Sequence, residues 1–92
     1  MRTIRRESRF KRDYKREARG RYGPTLDAIL TEILTLLLAD MPLPEHLHDH
    51  PLSGDWIGYR DCHLHPDLVL IYRKVPDELL LARLGSHSEL GF

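Results

Sequence analysis

The chain has 92 residues, of which 41% are hydrophobic and 30% are charged. This length fits a single domain, residues 1–92, and this composition argues against a disordered chain. The first ten residues are too charged for a signal peptide, and no apolar run is long enough to span a bilayer. The single cysteine, Cys62, cannot form an internal disulfide, which is typical of a reducing compartment. We therefore expect a cytoplasmic domain with no membrane partner.

The charges are segregated along the chain, although the formal net charge is zero. Residues 1–22 contain ten of the fourteen Lys and Arg residues but only three acidic residues, and the remainder of the chain is acidic. A basic segment of this kind is typical of an element that contacts a polyanion, and nucleic acid is the obvious candidate. The alternative is a solvated helix whose arginines only keep it in solution, and charge alone does not separate the two.

The predicted elements begin with a short strand, Thr3–Arg6, followed by a helix for which Ser8 is a suitable N-cap. Phe10 and Tyr14 recur at fourfold spacing and give this helix a narrow apolar stripe. Residues 20–24, which contain two glycines and a proline, are expected to end it. The pattern therefore predicts a charged helix that packs on the core through one side only.

A second helix is predicted over residues 25–40, where leucines and isoleucines form a broad apolar face that must be buried. Two prolines at positions 42 and 44 prevent its continuation. Strand-like composition follows at residues 56–63, 67–75 and 78–84, with turn residues between them. This order predicts an α+β fold in which two helices pack on a mostly antiparallel, twisted sheet of four to five strands.

Polar side chains that can transfer protons gather in the second half of the chain. Asp61 and His63 point to the same face of a strand because side chains alternate along it. Asp67 begins the next strand close to His63, while His50 precedes this hairpin and His87 follows the last strand. Residues at the ends of adjacent strands meet at one edge of a sheet, so these side chains are expected to form an acid–base site.

This combination of side chains suits the cleavage of RNA. Imidazoles titrate near pH 6.5, and neighbouring carboxylates fix their tautomers. One group can take the proton of the ribose 2′-hydroxyl while another protonates the departing 5′-oxygen. The 2′-hydroxyl is itself the nucleophile, so this chemistry requires neither a serine nor a metal.

Two other interpretations of the histidines stay open from the residues alone. The alternating spacings of His46, His48 and His50, and of His63 and His65, are compatible with zinc ligands on one strand face. A lone pair of this kind is a weak signal. The other interpretation is that these are loop histidines on the surface, each hydrated by water.

Several other residues of the same region are expected to have structural roles. Trp56 and Tyr72 are large aromatics that typically pack against a sheet. Arg60 lies on the strand face opposite to Asp61, which favours a structural ion pair. Cys62 shares that opposite face and is expected to be a small buried residue.

The spacing of these motifs resembles that of the YafQ-type toxins of the RelE/ParE superfamily. The resemblance covers almost the whole chain and is carried by Asp49-His50-Pro51-Leu52-x-Gly54-x-Trp56-x-Gly58-Tyr59-Arg60-Asp61-x-His63-x-x-Pro66-Asp67-x-x-Leu70-x-Tyr72 and by Arg83-Leu84-Gly85-Ser86-His87-Ser88-Glu89-Leu90. It implies a RelE-like microbial RNase fold and a toxin that cleaves messenger RNA on the translating ribosome. It also implies neutralisation by a cognate antitoxin protein and a reaction that uses no cofactor or metal.

The resemblance also implies a set of site residues. The catalytic set corresponds to His50, Asp61, His63, Asp67 and His87 in this chain. His87 is expected to be a principal general acid or base, with His50 and His63 sharing proton transfer and phosphate contact. The two aspartates are expected to orient the imidazoles or hold the ribose.

Two substrate-binding residues complete this set. Arg83 is expected to contact phosphate through its fixed cation, and Phe92 is the candidate for stacking on a base. Members of this family commonly end in Leu-Phe, whereas this chain ends in Leu90-Gly91-Phe92, so its ring lies one position later.

The resemblance also implies that ribosomal RNA is the partner of the basic N-terminal helix, because this RNA is a dense polyanion. An acidic antitoxin segment would fit the same charge. The competing class of function is a non-enzymatic binding module similar to the superfamily members that inhibit DNA gyrase. Such a module would not need the histidine–aspartate cluster. His46, His48 and His65 receive no role from the resemblance.

Overall fold

The computed structural model describes residues 2–92. In chain order its helices and strands are β1 (Thr3–Arg6), α1 (Ser8–Ala18), α2 (Gly23–Leu38), β2 (His50–Pro51), β3 (Arg60–His65), β4 (Leu68–Lys74), β5 (Glu78–Gly85) and α3 (His87–Leu90). Short 3-10 turns occupy Glu45–Leu47 and Gly54–Trp56. None of the helices described in this range is long and apolar enough to cross a membrane.

The five strands form one sheet in the order β1-β5-β4-β3-β2. β1 pairs with β5 in parallel, and the other three neighbouring pairs are antiparallel. The parallel pair is possible because β1 and β5 are joined by the long connection that parallel strands need, which here includes α1, α2 and the other three strands. The prediction of an α+β fold with a mostly antiparallel sheet and two N-terminal helices is therefore confirmed.

The main core lies between the sheet and helices α1 and α2. Its helix side consists of Phe10 and the buried face of α2, and its sheet side contains Cys62, Tyr72 and the leucines of β4 and β5. The opposite face of the sheet carries a smaller apolar cluster around Val69 and Ile71, covered in part by Trp56. Because α1 and α2 cover only one face and the short helix α3 covers little of the other through Leu90, polar side chains on that other face remain available to solvent.

Helix α1 also completes the edge of β5 where β1 ends. The ladder between β1 and β5 stops at Leu81, which leaves the backbone of Leu84 without a strand partner on that side. The carboxylate of Asp13 accepts the Leu84 N–H at 3.0 Å, and Nη2 of Arg16 donates to the Leu84 carbonyl at 2.9 Å. Two side chains of α1 thus replace the hydrogen bonds of a missing strand.

Two expectations about the helices need correction, and one helix was not expected. Ser8 is the first residue of α1 rather than its N-cap, and Glu7 holds the cap position without a side-chain hydrogen bond. α2 begins at Gly23 instead of residue 25, because a proline in the first turn has no N–H to lose there. Nor did the sequence reveal the short helix α3, which carries His87 and Glu89.

The strand predicted over residues 56–63 is also wrong in its first half. The 3-10 turn ends at Trp56, and a turn follows in which Gly58 has a φ of +90°, a conformation that favours glycine. β3 therefore starts only at Arg60 and continues through His65. A register shift between His63 and His65 accommodates the tight turn into β4.

Candidate active site

The register of the sheet brings the predicted site residues together at one edge. On the β2–β3 pair, His50 lies directly opposite Asp61, so their side chains share a face. On the β4–β5 pair, Val69 lies opposite Gly85, which brings residue 67 beside His87 just beyond the ends of the two strands. The expectation that these side chains converge is confirmed.

His63 is the central ring of the cluster. Its centroid lies 5.2 Å from that of His87 and 6.4 Å from that of His50. His48, for which the sequence suggested no role, is the third neighbour at 5.8 Å. The only sequence signal for His48 is that it lies two residues before His50. The sequence does not indicate its left-handed backbone conformation, which has a φ of +51°.

Asp67 holds His87 through two hydrogen bonds. Its Oδ1 accepts the backbone N–H of His87 at 3.1 Å and lies 2.8 Å from the ring Nδ1. These hydrogen bonds to His87 hold the pKa of the Asp67 carboxyl below its usual value, so the ring faces a carboxylate. With Nδ1 occupied as a donor, Nε2 is the nitrogen available to a substrate.

Asp61 is a buried carboxylate that lacks a hydrogen-bond donor on one oxygen. Its Oδ1 lies 3.0 Å from Nδ1 of His50, but that nitrogen makes its hydrogen bond to the His48 carbonyl at 2.7 Å. Burial raises the pKa of Asp61, and the neighbouring histidines oppose this change. An unpaired acceptor in this position costs stability, and such groups are common at functional sites.

His63 is half-buried between these groups. Burial lowers its pKa, the negative charge of Asp61 opposes this, and the neighbouring histidines lower it further. His63 is therefore the histidine best suited to be neutral at neutral pH. A neutral imidazole has a free nitrogen that can accept a proton.

The two predicted substrate-binding residues lie on either side of His87 in the chain. Nε and Nη2 of Arg83 donate to the carboxylate of Asp13 at 2.7 and 3.3 Å, so this guanidinium is anchored to α1. The Phe92 ring is 49% exposed and its centroid lies 6.3 Å from that of His87. The later position of this ring in the sequence thus still leaves it beside the cluster.

Two of the surplus histidines lie away from the cluster. His65 stacks on Tyr22 with ring centroids 4.1 Å apart, and its Nε2 lies 3.3 Å from the hydroxyl of Thr25. His46 is exposed in the first 3-10 turn and borders a small cavity beside α2. Neither position is near the face that carries His63 and His87.

Asp49 anchors the segment that positions His50. Arg60 donates to its carboxylate from Nε at 3.3 Å and from Nη2 at 3.2 Å, and the hydroxyl of Tyr72 donates to the same group. The structural ion pair expected for Arg60 is present, with Asp49 as its partner. Tyr72 and Cys62 are both buried in the core as expected.

Among residues 2–92, no three His, Cys, Asp or Glu side chains are arranged to hold a metal ion. The strongest potential donors are His48, His50 and His87, whose ring centroids all lie within 6.4 Å of that of His63. The arrangement is suited to proton transfer. His63, whose pKa is lowered by burial, is in contact with His87, and the ring of His87 faces the carboxylate of Asp67.

Comparisons with known proteins agree with this fold. Residues 2–91 match the family model described as bacterial toxin of type II toxin-antitoxin system, YafQ. The chain is 45% identical over 62 residues to the mRNA interferase toxin YafQ of Escherichia coli K12, which covers 66% of the chain and 67% of that relative. A Haemophilus influenzae relative, also named for YafQ, is 54% identical over 57 residues. That alignment covers 58% of this chain and spans only 56% of the relative's own length.

Solved structures resemble the whole chain. A copper-bound mutant toxin from Helicobacter pylori has a TM-score of 0.86 at 36% identity, covering 98% of this chain and 99% of that one. YafQ from Escherichia coli BL21(DE3) has a TM-score of 0.81 at 33% identity, and each chain is covered to 98%. The toxin structure from the Escherichia coli DinJ–YafQ complex has a TM-score of 0.79 at 34% identity, again with 98% of each chain covered.

Proposed function

The chain belongs to the YafQ family of bacterial toxins of type II toxin–antitoxin systems, and from this premise we propose that it is an endoribonuclease that cleaves messenger RNA. The observation that best supports the proposal is the contact between His63 and His87, with Asp67 bound to the second ring. A relative at 45% identity is named an mRNA interferase, which agrees with this chemistry. A protein that acted only by binding would have no use for such a pair.

The proposed reaction uses the ribose 2′-hydroxyl as the nucleophile. His63, neutral because it is half-buried, accepts the 2′-hydroxyl proton while the 2′-oxygen forms a bond to phosphorus. His87 gives a proton from Nε2 to the 5′-oxygen as its bond to phosphorus breaks. The products are a 2′,3′-cyclic phosphate and a 5′-hydroxyl, and no water is consumed in this step.

The charge that develops on the phosphate needs positive partners. His50, when protonated, supplies one above the buried carboxylate of Asp61. Arg83 is the second, and because Asp13 occupies its Nε and Nη2, the proposed phosphate contact falls to Nη1. Preorganised donors of this kind stabilise a transition state without any reorganisation during the reaction. The exposed Phe92 ring beside His87 is the proposed platform for a base.

We further propose that the outer surface of α1 contacts ribosomal RNA. Arg9, Arg12 and Arg19 are exposed on this helix, whereas Arg16 is engaged by Asp13 and Leu84 and is removed from this set. Contacts with phosphate make binding salt-dependent.

A variant with Arg9, Arg12 and Arg19 changed to Glu should sediment less with ribosomes, and the loss should be largest at low salt. Equal sedimentation with the exposed control Arg73→Glu at every salt concentration would refute this contact.

A different surface fits the antitoxin. A groove of about 670 Å³ lies between β1, α1 and α2, with Phe10 and Leu34 in its apolar lining and Arg6, Lys11 and Lys15 on its polar side. An apolar groove bordered by cations fits an acidic amphipathic segment, and we propose the cognate antitoxin as its occupant. The structural relative that supports such a partner was solved as a DinJ–YafQ complex.

Because the antitoxin and the ribosomal RNA are assigned to different surfaces, an experiment can separate the two partners. Changing Lys11 and Lys15 to Glu should weaken rescue from toxicity by the co-expressed cognate antitoxin. The same change should leave cleavage of messenger RNA in place. Full rescue of this variant would show that the antitoxin binds elsewhere.

The proposed activity is tested by inducing the chain in bacterial cells and mapping messenger RNA cleavage by primer extension. The wild type should arrest growth and produce new 5′ ends, and His87→Ala should produce none while still folding. His46→Ala is the matched control, because it also removes an exposed imidazole but lies away from the cluster. Cleavage by His87→Ala equal to that of the control would overturn the proposal.

A further inference from the structure

Helix α3 is too short to hold its own orientation. It has four residues and begins with a capping box, in which Ser86 Oγ accepts the Glu89 N–H at 3.2 Å and Glu89 Oε1 accepts the Ser86 N–H at 2.9 Å. Isolated helices of this length are not stable in water. The position of His87, the second residue after β5, therefore depends on contacts that α3 makes with the rest of the molecule.

Glu89 makes such a contact with the basic helix α1. Its Oε2 lies 3.0 Å from Nε of Arg16, while its other oxygen remains on Ser86. The hydrogen bond from the Ser86 backbone and the charge of Arg16 both lower the pKa of Glu89, so the carboxylate is charged at neutral pH. One side chain thus joins the cap of α3 to a cation on another element.

Arg16 is itself fixed from three directions. Nη1 donates to Asp13 at 3.0 Å, Nη2 donates to the Leu84 carbonyl at 2.9 Å, and Nε donates to Glu17 at 2.9 Å. Because Asp13 is 3% exposed and Leu84 is fully buried, these contacts anchor the guanidinium to the rigid part of the fold. Arg16, which belongs to the basic segment, is therefore held against β5, although its side chain remains 42% exposed.

Gly85 leaves the space that Arg16 occupies. A Cβ at this position would lie 2.8 Å from Nη2 of Arg16 and 3.2 Å from Oε1 of Glu89. The backbone of Gly85 is not in the left-handed region, so close approach rather than conformation explains the glycine. The junction between β5 and α3 is therefore built around the Arg16–Glu89 pair.

We propose that Arg16 and Glu89 are positioning residues for the cleavage reaction: the pair fixes α3 against β5 and so holds His87 over the substrate phosphate. This inference rests on the proposed ribonuclease function. Asp67 sets the ring orientation of His87 from one side, and the Arg16–Glu89 pair sets the helix that carries it. A displacement of about 1 Å of a catalytic group can cost on the order of 100-fold in rate.

The test measures kcat and KM for cleavage of a defined messenger RNA in a reconstituted bacterial translation system. Arg16→Gln and Glu89→Gln should each lower kcat about tenfold, with KM changed less than twofold. Glu89→Gln is the sharper variant, because its amide oxygen can still accept the Ser86 N–H. It also removes a negative charge, so it cannot weaken RNA binding by electrostatics.

Two further variants separate positioning from binding and from folding. Arg12→Gln removes the same charge from the outer surface of α1 and should act through KM. The double variant Arg16→Gln/Glu89→Gln should be no slower than either single variant, because residues that act as one unit are not additive. Circular dichroism and Tm should show that each variant is folded.

The outcomes discriminate between the claims. Wild-type kcat in Glu89→Gln, or an Arg16→Gln defect confined to KM, would overturn the positioning role. If His87→Ala were as active as wild type, the proposed function would fail instead. A loss of activity in His87→Ala with normal kcat in both Gln variants would leave the function standing and remove only this inference.

Discussion

The Oδ1 atom of Asp67 accepts two hydrogen bonds from one residue, the backbone N–H of His87 at 3.1 Å and its ring Nδ1 at 2.8 Å. The carboxylate lies in the turn between β3 and β4, and the imidazole begins α3 after β5. This contact ties together two chain segments that sequence order separates by twenty residues. In the proposed reaction, this contact leaves Nε2 of His87 to face the substrate.

Asp67→Ala should therefore lower kcat by about 10- to 100-fold, since His87 loses its fixed tautomer and orientation. Asp67→Asn keeps an acceptor for the backbone N–H and should lose less. Stability should change little, because the Asp67 side chain is 64% exposed. Single-turnover cleavage of the three proteins measures the effect. Equal rates for all of them would show that Asp67 does not act on His87.

Cleavage should fall as the pH is lowered through the depressed pKa of His63. Burial lowers this pKa below its usual value, and only the neutral ring accepts the 2′-hydroxyl proton. Asp61 opposes the shift, so Asp61→Asn should move the acidic limb of the pH profile of kcat/KM to still lower pH. A limb that moves to higher pH in this variant would contradict His63 as the base.

Asp61→Asn should at the same time make the protein more stable at pH 7. The pKa of Asp61 is raised in the fold because of its burial, so the folded state holds its proton more tightly than the unfolded chain does. The folded state therefore loses stability as the pH rises through the raised pKa of Asp61 and the buried carboxyl becomes charged. An asparagine has no proton to lose, so the variant keeps this stability. We expect a gain of about 1 kcal/mol in urea unfolding, shrinking toward pH 4. Loss of stability at pH 7 would show that the carboxylate is satisfied.

Asp13→Asn should be strongly destabilising. The buried carboxylate accepts hydrogen bonds from Arg83, Arg16 and the Leu84 backbone. Burial alone raises the pKa of Asp13, but these partners outweigh it and hold the pKa below its usual value. The stability that Asp13 contributes is present above the pKa that its carboxyl has in the unfolded chain. It is lost as the pH falls through the lower pKa of this carboxyl in the folded state. Breaking a buried pair costs about 3–5 kcal/mol, measurable by urea unfolding at pH 7. A cost below about 1 kcal/mol would mean that the arginines find other partners.

Periodicity predicted much of this architecture because packing obeys it. Alternation placed Asp61 and His63 on one face and Cys62 on the other, as observed. The broad apolar face of α2 indicated its burial. These features depend only on neighbours in the chain, so a local pattern is enough to reveal them.

The parts that could not be predicted depend on contacts between distant residues. The Arg16–Glu89 pair joins two helices, and nothing in the basic run of α1 distinguishes Arg16 from Arg12. Residues 56–59 have strand-like composition, but Gly58 and the preceding 3-10 turn bend the backbone away from the sheet. Arg83 has the chemistry of a phosphate ligand, yet a buried aspartate seventy residues earlier anchors it.

The chemistry of the cut ends tests the central claim most directly. Messenger RNA cleaved by the wild-type chain should carry a 2′,3′-cyclic phosphate on one fragment and a 5′-hydroxyl on the other. These ends are the result expected if His63 and His87 transfer the protons while the 2′-hydroxyl attacks the phosphate. Fragments with a 5′-phosphate and a free 3′-hydroxyl would contradict it.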